Sequence, residues 1–272
     1  GSVVDGKSTL IGRLLLDSKS LLADQIAHVA EASKRRGLER TDLALLTDGL
    51  RAEREQGITI DVAWRYFATP RRRFVLADSP GHVQYTRNTV TACSAADAAI
   101  VLVDARRDFA EQTKRHLFVA RLARAPHLVV AVNKMDAVLW SLDAFARVRD
   151  QIADYLAALP AWAGGAGATF IPLSALTGDN VVEPSRAMPW YDGPTLLAHL
   201  ESLEAVRAKR EAPARLSVQW IIRPQSAAHP DYRGYAGRVA SGTFRVGAEV
   251  KLLPSGETTR LARIETPRGE RQ

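Results

Sequence analysis

The sequence predicts an α/β fold with a mainly parallel sheet, followed by a partial β-barrel domain. Three observations carry that expectation. Strand-sized apolar runs alternate with helix-period stretches as far as Leu203, a phosphate-loop pattern, GxxxxGK(S/T), opens the chain as GSVVDGKST, and the texture turns β-rich after Leu203.

The candidate strands are DVAWRYFA, RFVLAD, AAIVLVDA, LVVAVN and TFIPLS, and the helix-period stretches fall at residues 7–16, 111–122 and 142–159. A sheet of this kind binds its ligand at the C-terminal ends of its strands, and each strand of interest ends in polar residues. AWAGGAGA, residues 161–168, reads as a flexible surface loop, because glycine there offers no core and loses the most entropy on ordering. The arginine run at residues 71–73 lies between YFAT and FVLAD and reads as a solvated hairpin turn.

A chain of 272 residues with 46% hydrophobic and 25% charged content is enough for one sizeable α/β core and part of a second domain, and it excludes disorder as a class. The single cysteine, Cys93, allows no internal disulfide and suits a reducing, cytoplasmic setting. Apolar runs such as AAIVLV and HLVVAV fall far short of the roughly 20 residues a membrane span needs. A net charge of +7 raises nucleic acid as a partner, but the arginines are scattered, so neither nucleic acid nor membrane is expected.

A phosphate loop normally follows a buried strand, and none precedes Gly1, so a first strand is expected to be missing. After Leu203 a charged stretch, EAVRAKREAPAR, gives way to LSVQWIIRP, YRGYAGRVASG, VKLLPSG and TTRLARIET, separated by Gly and Pro turns. The domain boundary is placed near Glu211, giving domains of residues 1–210 and 211–272. The second is too short for a complete barrel and is expected to be cut short.

Five elements carry the chemistry. Gly1, Ser2, Val3, Val4, Asp5, Gly6, Lys7, Ser8 and Thr9 form the phosphate loop, with backbone N–H groups and Lys7 on the phosphates and the Ser8 hydroxyl on Mg2+. Thr59 in QGITID can turn its hydroxyl onto the same ion, or can be an ordinary β-branched residue at a strand start. DSPGH supplies Asp78, Ser79, Pro80, Gly81 and His82. Asp78 can hold a Mg2+-bound water, Gly81 lets its N–H approach a γ-phosphate, and His82 can position the attacking water as the catalytic residue. NKMD supplies Asn133, Lys134, Met135 and Asp136. The Asp136 carboxylate can accept from guanine N1–H and the 2-amino group, a donor pair adenine lacks, so it selects GTP over ATP. Ser174 and Ala175 in PLSAL can offer backbone N–H groups to guanine O6.

Together these elements resemble the GTPase superfamily, and GITID with DSPGH narrows the resemblance to GTPases of the translation-factor type, which carry a β-barrel second domain. Longer strings, among them DLALLTDGLRAEREQGITIDVAWRYF, DSPGHVQYTRN, PLSALTGDNVVEPSRAMPWYDGPTLL and YRGYAGRVASG, resemble the large GTPase subunits of bacterial sulfate adenylyltransferases. That resemblance covers nearly the whole chain. It implies GTP and Mg2+ as ligands and a small catalytic subunit as partner, which makes adenylyl sulfate and pyrophosphate from ATP and sulfate at the expense of GTP. The chain has no SGGxDS loop, so the sulfate chemistry is expected on the partner.

The rival reading is an elongation factor that delivers aminoacyl-tRNA, which shares GITID, the PGH loop and NKMD. A third is a non-hydrolysing scaffold, against which Lys7, Ser8, Thr59, Asp78 and His82 all argue. Two departures from the family pattern stand out: Val4 occupies a position where an aspartate is expected, and Val83 one where an acidic residue is expected. GTP binding is expected to persist with altered turnover, and comparing hydrolysis by Val4→Asp with the parent measures the weight of the first departure.

Overall fold

The computed structural model describes residues 1–2, 4–21, 23–35, 37, 41–46, 59, 61–159, 167–204, 212–224, 227, 230, 232–266 and 269–271. The chain forms two compact units, residues 1–204 and 205–272. The boundary read near Glu211 and most of the AWAGGAGA loop lie outside the described residues.

The first unit runs α1 (Lys7–Asp17), α2 (Ala23–Arg35), β1 (Ala63–Ala68), β2 (Arg73–Asp78), α3 (Thr86–Ala95), β3 (Ala98–Asp104), α4 (Glu111–Leu122), β4 (His127–Asn133), α5 (Leu142–Ala158), β5 (Thr169–Pro172) and α6 (Leu196–Ser202). Strands β3, β4 and β5 form a parallel sheet in that order, with Asp104 opposite Asn133 at its C-terminal edge. Successive side chains of a strand face opposite ways, and here both faces are apolar. Val101, Val103, Val130 and Val132 pack with Leu117 of α4 and Val148 and Ile152 of α5. Leu102, Val129, Ala131 and Ile171 pack with Leu10 and Leu14 of α1 and Leu196 and Leu200 of α6. Burial on both faces explains the continuous Val/Ile/Leu runs, and it fixes the register that carries the polar strand ends to one edge.

Strands β1 and β2 form an antiparallel hairpin of their own, with Phe67 paired to Phe74 and their rings stacked at 4.6 Å. The arginine run is its turn, as expected. Thr69 N–H donates to the Arg72 carbonyl at 2.8 Å, the Arg72 guanidinium donates to the Leu200 carbonyl at 3.0 Å, and Arg71 lies 3.5 Å from Glu201. These cations therefore anchor the hairpin to α6.

RFVLAD and the helix at 111–122 occupy the expected residues. DVAWRYFA becomes a strand only at Ala63, because Asp61 Oδ1 accepts the Val62 N–H at 2.7 Å and holds the chain in a local turn. Helices α2, α3 and α6 had not been read as helices. TRNTVTACSA in α3 is Thr-rich and weakly patterned, so its helix rests on packing rather than propensity.

The second unit contains three antiparallel pairs: β6 (Arg215–Ile222) with β7 (Gly234–Ser241), β8 (Glu249–Lys251) with β9 (Thr258–Arg260), and β10 (Ile264–Thr266) with β11 (Gly269–Arg271). A Cβ at Gly237 would lie 1.9 Å from the Ser217 carbonyl oxygen, so this glycine is what lets the strands close.

Candidate nucleotide-binding site

Asp78, Asp104 and Asn133 end β2, β3 and β4, and Ser174 follows β5 by two residues. The loop before α1 comes to the same edge. Gly6 caps α1 with a left-handed φ of 88°, and a Cβ on it would lie 2.7 Å from Asn133 Nδ2, so conformation and space both require glycine. The first-turn N–H groups of an α-helix have no intrahelical partner and favour anions.

Within the loop, the Lys7 ammonium donates to the carbonyls of Ser2 at 2.8 Å and Gly1 at 3.2 Å. Burial lowers the Lys7 pKa below its ordinary value, while the carboxylates of Asp5 and Asp78 act against that shift. Asp5 is buried, and its carboxylate accepts the Ser2 N–H; burial is also what raises its pKa. Ser8 and Thr9 sit half-buried in the first turn of α1, and Val3 lies outside the described residues. Val4 turns its side chain outward, at 48% exposure, while its carbonyl accepts from Lys134 Nζ at 2.7 Å. This backbone contact is independent of the side chain at position 4.

Asn133 connects the loop to the opposite side of the pocket. Its Nδ2 donates to the Asp5 carbonyl at 2.8 Å, and its Oδ1 accepts the Ala175 N–H at 2.9 Å. Asp136 Oδ1 accepts from the Ser174 hydroxyl at 2.6 Å, and Arg13 Nε of α1 donates to the Ala175 carbonyl at 3.2 Å. Lys134 has a positive φ of 65° and is also ion-paired with Asp104 at 3.0 Å. Met135 departs from its neighbours: its side chain is fully buried in the core cluster that also holds Phe145 and Met188, and its N–H donates to the Leu173 carbonyl at 3.3 Å.

In DSPGH, Asp78 is buried, Ser79 is half-buried, and the buried Pro80 offers its carbonyl to Thr89 Oγ1 at 3.1 Å. Gly81 packs on the phosphate loop, and His82 is exposed, its Nδ1 accepting the Gln84 N–H at 3.3 Å. Thr59 is half-buried, in a segment that otherwise lies largely outside the described residues.

Three features of the site had no assigned role in the sequence reading. Burial would raise the Asp104 pKa, but hydrogen bonds from Arg106 and Lys134 hold it well below the ordinary carboxylate range. Asp179 accepts from the Thr177 and Ser185 hydroxyls at 2.5 and 2.6 Å and from Trp140 Nε1 at 3.2 Å, and its carbonyl accepts the Ser174 N–H, which shapes the loop after β5. Gln112 of α4 donates to the Gly81 carbonyl. The only sequence signal for any of these was Asp104 at a strand end.

A hydroxyl from Ser8 and a buried carboxylate from Asp78, beside a helix N-terminus, are the hard oxygen donors Mg2+ prefers, so the residues present fit that ion.

The family model described as the elongation factor Tu GTP binding domain matches residues 1–206. The chain is 55% identical over 269 residues to the bifunctional enzyme CysN/CysC of Mycobacterium tuberculosis, covering 99% of this chain and 43% of that protein. It is 52% identical over 274 residues to sulfate adenylyltransferase subunit 1 of Citrobacter koseri, covering 100% of this chain and 56% of that protein. It thus spans about half the length of these curated relatives. Among solved structures, sup35 complexed with GMPPNP aligns over 99% of this chain and 58% of that one, with a TM-score of 0.53 and 26% identity. With the family model covering residues 1–206 of 272, and a phosphate loop tied through Asn133 to the loop at Ala175, the chain belongs to the elongation factor Tu GTP binding domain family.

Proposed function

We propose that this chain is the GTP-binding part of a sulfate adenylyltransferase large subunit. It binds and hydrolyses GTP while a smaller catalytic subunit forms adenylyl sulfate and pyrophosphate from ATP and sulfate. The observation that carries the GTP half of this reading is the double bond set of Asn133, which brings the loop before α1 within one side chain of Ala175. Identities of 55% and 52% to CysN/CysC and to sulfate adenylyltransferase subunit 1 favour the sulfate system over delivery of aminoacyl-tRNA.

In this reading, backbone N–H groups of residues 1–9 and the Lys7 ammonium hold the phosphates. Asp136 accepts from guanine N1–H and the 2-amino group, and the backbone at Ser174 and Ala175 meets O6 only by giving up or sharing N–H groups that here donate to the Asp179 carbonyl and to Asn133 Oδ1. Gly81 N–H approaches the γ-phosphate, and His82 orients the water that attacks phosphorus, releasing GDP and phosphate. Ser8, Thr59 and Asp78 would hold Mg2+, which when bound neutralises charge on the β- and γ-phosphate oxygens. The partner is the small catalytic subunit, and the complex works in the cytoplasm. Among the described residues no helix is long and apolar enough to cross a membrane.

The test uses the full-length protein with its candidate small subunit. Adenylyl sulfate formation is measured with and without GTP, alongside tRNA binding. Formation that requires GTP, with no tRNA retained, is the expected outcome. GTP-independent sulfate activation together with tight tRNA binding would replace this reading by the translational one.

A further inference from the structure

Helix α4 is not among the elements that hold nucleotide in the reading above, yet it reaches the loop that carries His82. Gln112 Nε2 donates to the Gly81 carbonyl at 3.1 Å, and it lies 3.4 Å from His116 Nε2, one helical turn further on. His116 is only 7% exposed, and its Nδ1 is buried without a hydrogen-bond partner. A buried polar atom left unpaired is costly, so a histidine here with no other task would be a poor choice beside leucine.

The hydrogen-bond inventory fixes the sense of the pair. The Gln112 amide has two N–H donors on one nitrogen. One goes to the Gly81 carbonyl, which can only accept, and the other points to His116 Nε2, which must then be the unprotonated acceptor. Burial keeps the imidazole neutral, in agreement with that role. The unpaired Nδ1 carries the proton, so the cost at Nδ1 accompanies a benefit at Nε2.

We propose that Gln112 and His116 form a positioning relay that sets the Gly81–His82 peptide, and through it the place of His82 against the terminal phosphate of GTP. The proposal rests on the GTPase reading above for its effect on turnover, but not for its effect on the loop. Gly81 is packed against the backbone of the phosphate loop, where a Cβ would lie 2.8 Å from the Gly1 carbonyl oxygen. The carbonyl of the same residue is held by Gln112, and Gln112 is oriented by His116. Neither residue touches the reacting atoms, so both are positioning residues.

The experiment uses the full-length protein carrying Gln112→Ala, His116→Leu or His116→Gln. It measures GTP turnover, GTP and GDP affinity, thermal midpoint, and hydrogen exchange of the amides at residues 81–85 without nucleotide. Gln112→Ala and His116→Leu should each lower kcat roughly tenfold, the effect of one lost hydrogen bond, with GDP affinity kept within about twofold. Exchange at 81–85 should speed up by a similar factor. His116→Leu should leave the thermal midpoint unchanged or raised, because it removes the unpaired Nδ1. His116→Gln, which can place an oxygen acceptor near the Nε2 position, should restore most of the turnover. Unchanged turnover and unchanged exchange in both Gln112→Ala and His116→Leu would overturn the relay, as would losses that only follow a fall in thermal stability. If the parent protein binds no guanine nucleotide, the GTPase reading fails, while the exchange measurement still decides whether Gln112 and His116 hold the loop.

Discussion

Gly81 and Lys7 meet where the DSPGH loop faces the phosphate loop: a Cβ at position 81 would lie 2.4 Å from Lys7 Nζ and 2.8 Å from the Gly1 carbonyl oxygen. The ammonium could swing aside, but the carbonyl is backbone and cannot. Gly81→Ala should therefore separate the two loops on the γ-phosphate side only. Titration of the full-length protein with GTP and with GDP should show GTP affinity falling about tenfold, the equivalent of one good hydrogen bond, and GDP affinity changing little. Equal losses for both nucleotides would place the strain elsewhere.

Asp136 has one carboxylate oxygen occupied by the Ser174 hydroxyl at 2.6 Å, a bond that fixes the plane of the group. Asp136→Asn keeps the shape but turns an acceptor into a donor facing the donors of guanine. Guanine nucleotide affinity should drop about 100-fold, and the preference for guanine over adenine should collapse. Calorimetry with both nucleotides checks this, and a retained preference would remove Asp136 from base recognition.

His82 is exposed, and the bond its ring accepts, from the Gln84 N–H, is local. Little folding stability depends on it. His82→Ala should reduce kcat for GTP by roughly 100-fold with nucleotide affinity nearly unchanged, because the ring acts on the attacking water more than on ground-state phosphate. Normal turnover with a large loss of affinity would contradict that role.

Acid stability should report on His116. Its pKa is lowered from 6.5 to about 3, chiefly by burial, so the folded protein holds it neutral while the unfolded chain takes up a proton below about 6.5. More protons bound in the unfolded state means that folding stability falls as pH drops from about 6.5 toward 3. Denaturant midpoints over that range should decline less steeply for His116→Leu than for the parent, by up to about 1.4 kcal/mol per pH unit. Parallel curves would show that His116 is not held neutral.

Much of the first unit could be read from residues alone, because its strands are buried on both faces and so write continuous apolar runs, as in HLVVAV before Asn133. The positions at strand ends were legible for the same reason: a polar residue closing such a run has one place to go. Helix α3 escaped because TRNTVTACSA lacks a strong apolar stripe, and α6 because seven residues give too short a period. Gln112 meets the Gly81 carbonyl across 31 positions of chain, and Asp179 gathers Trp140, Thr177 and Ser185 from two loops. Long-range pairings of this kind leave no local spacing to detect. Met135 shows the converse, since a motif position suggested a ligand contact where the packing uses its side chain as core.

Buried between two loops, Asn133 makes the loop before α1 and the loop at Ala175 one mechanical piece. In the proposed reading a nucleotide is then a bivalent ligand: seating either half presents the other at high local concentration, so the whole molecule should bind far more tightly than its fragments. Loosening that single amide would leave two weak half-sites, each chemically intact.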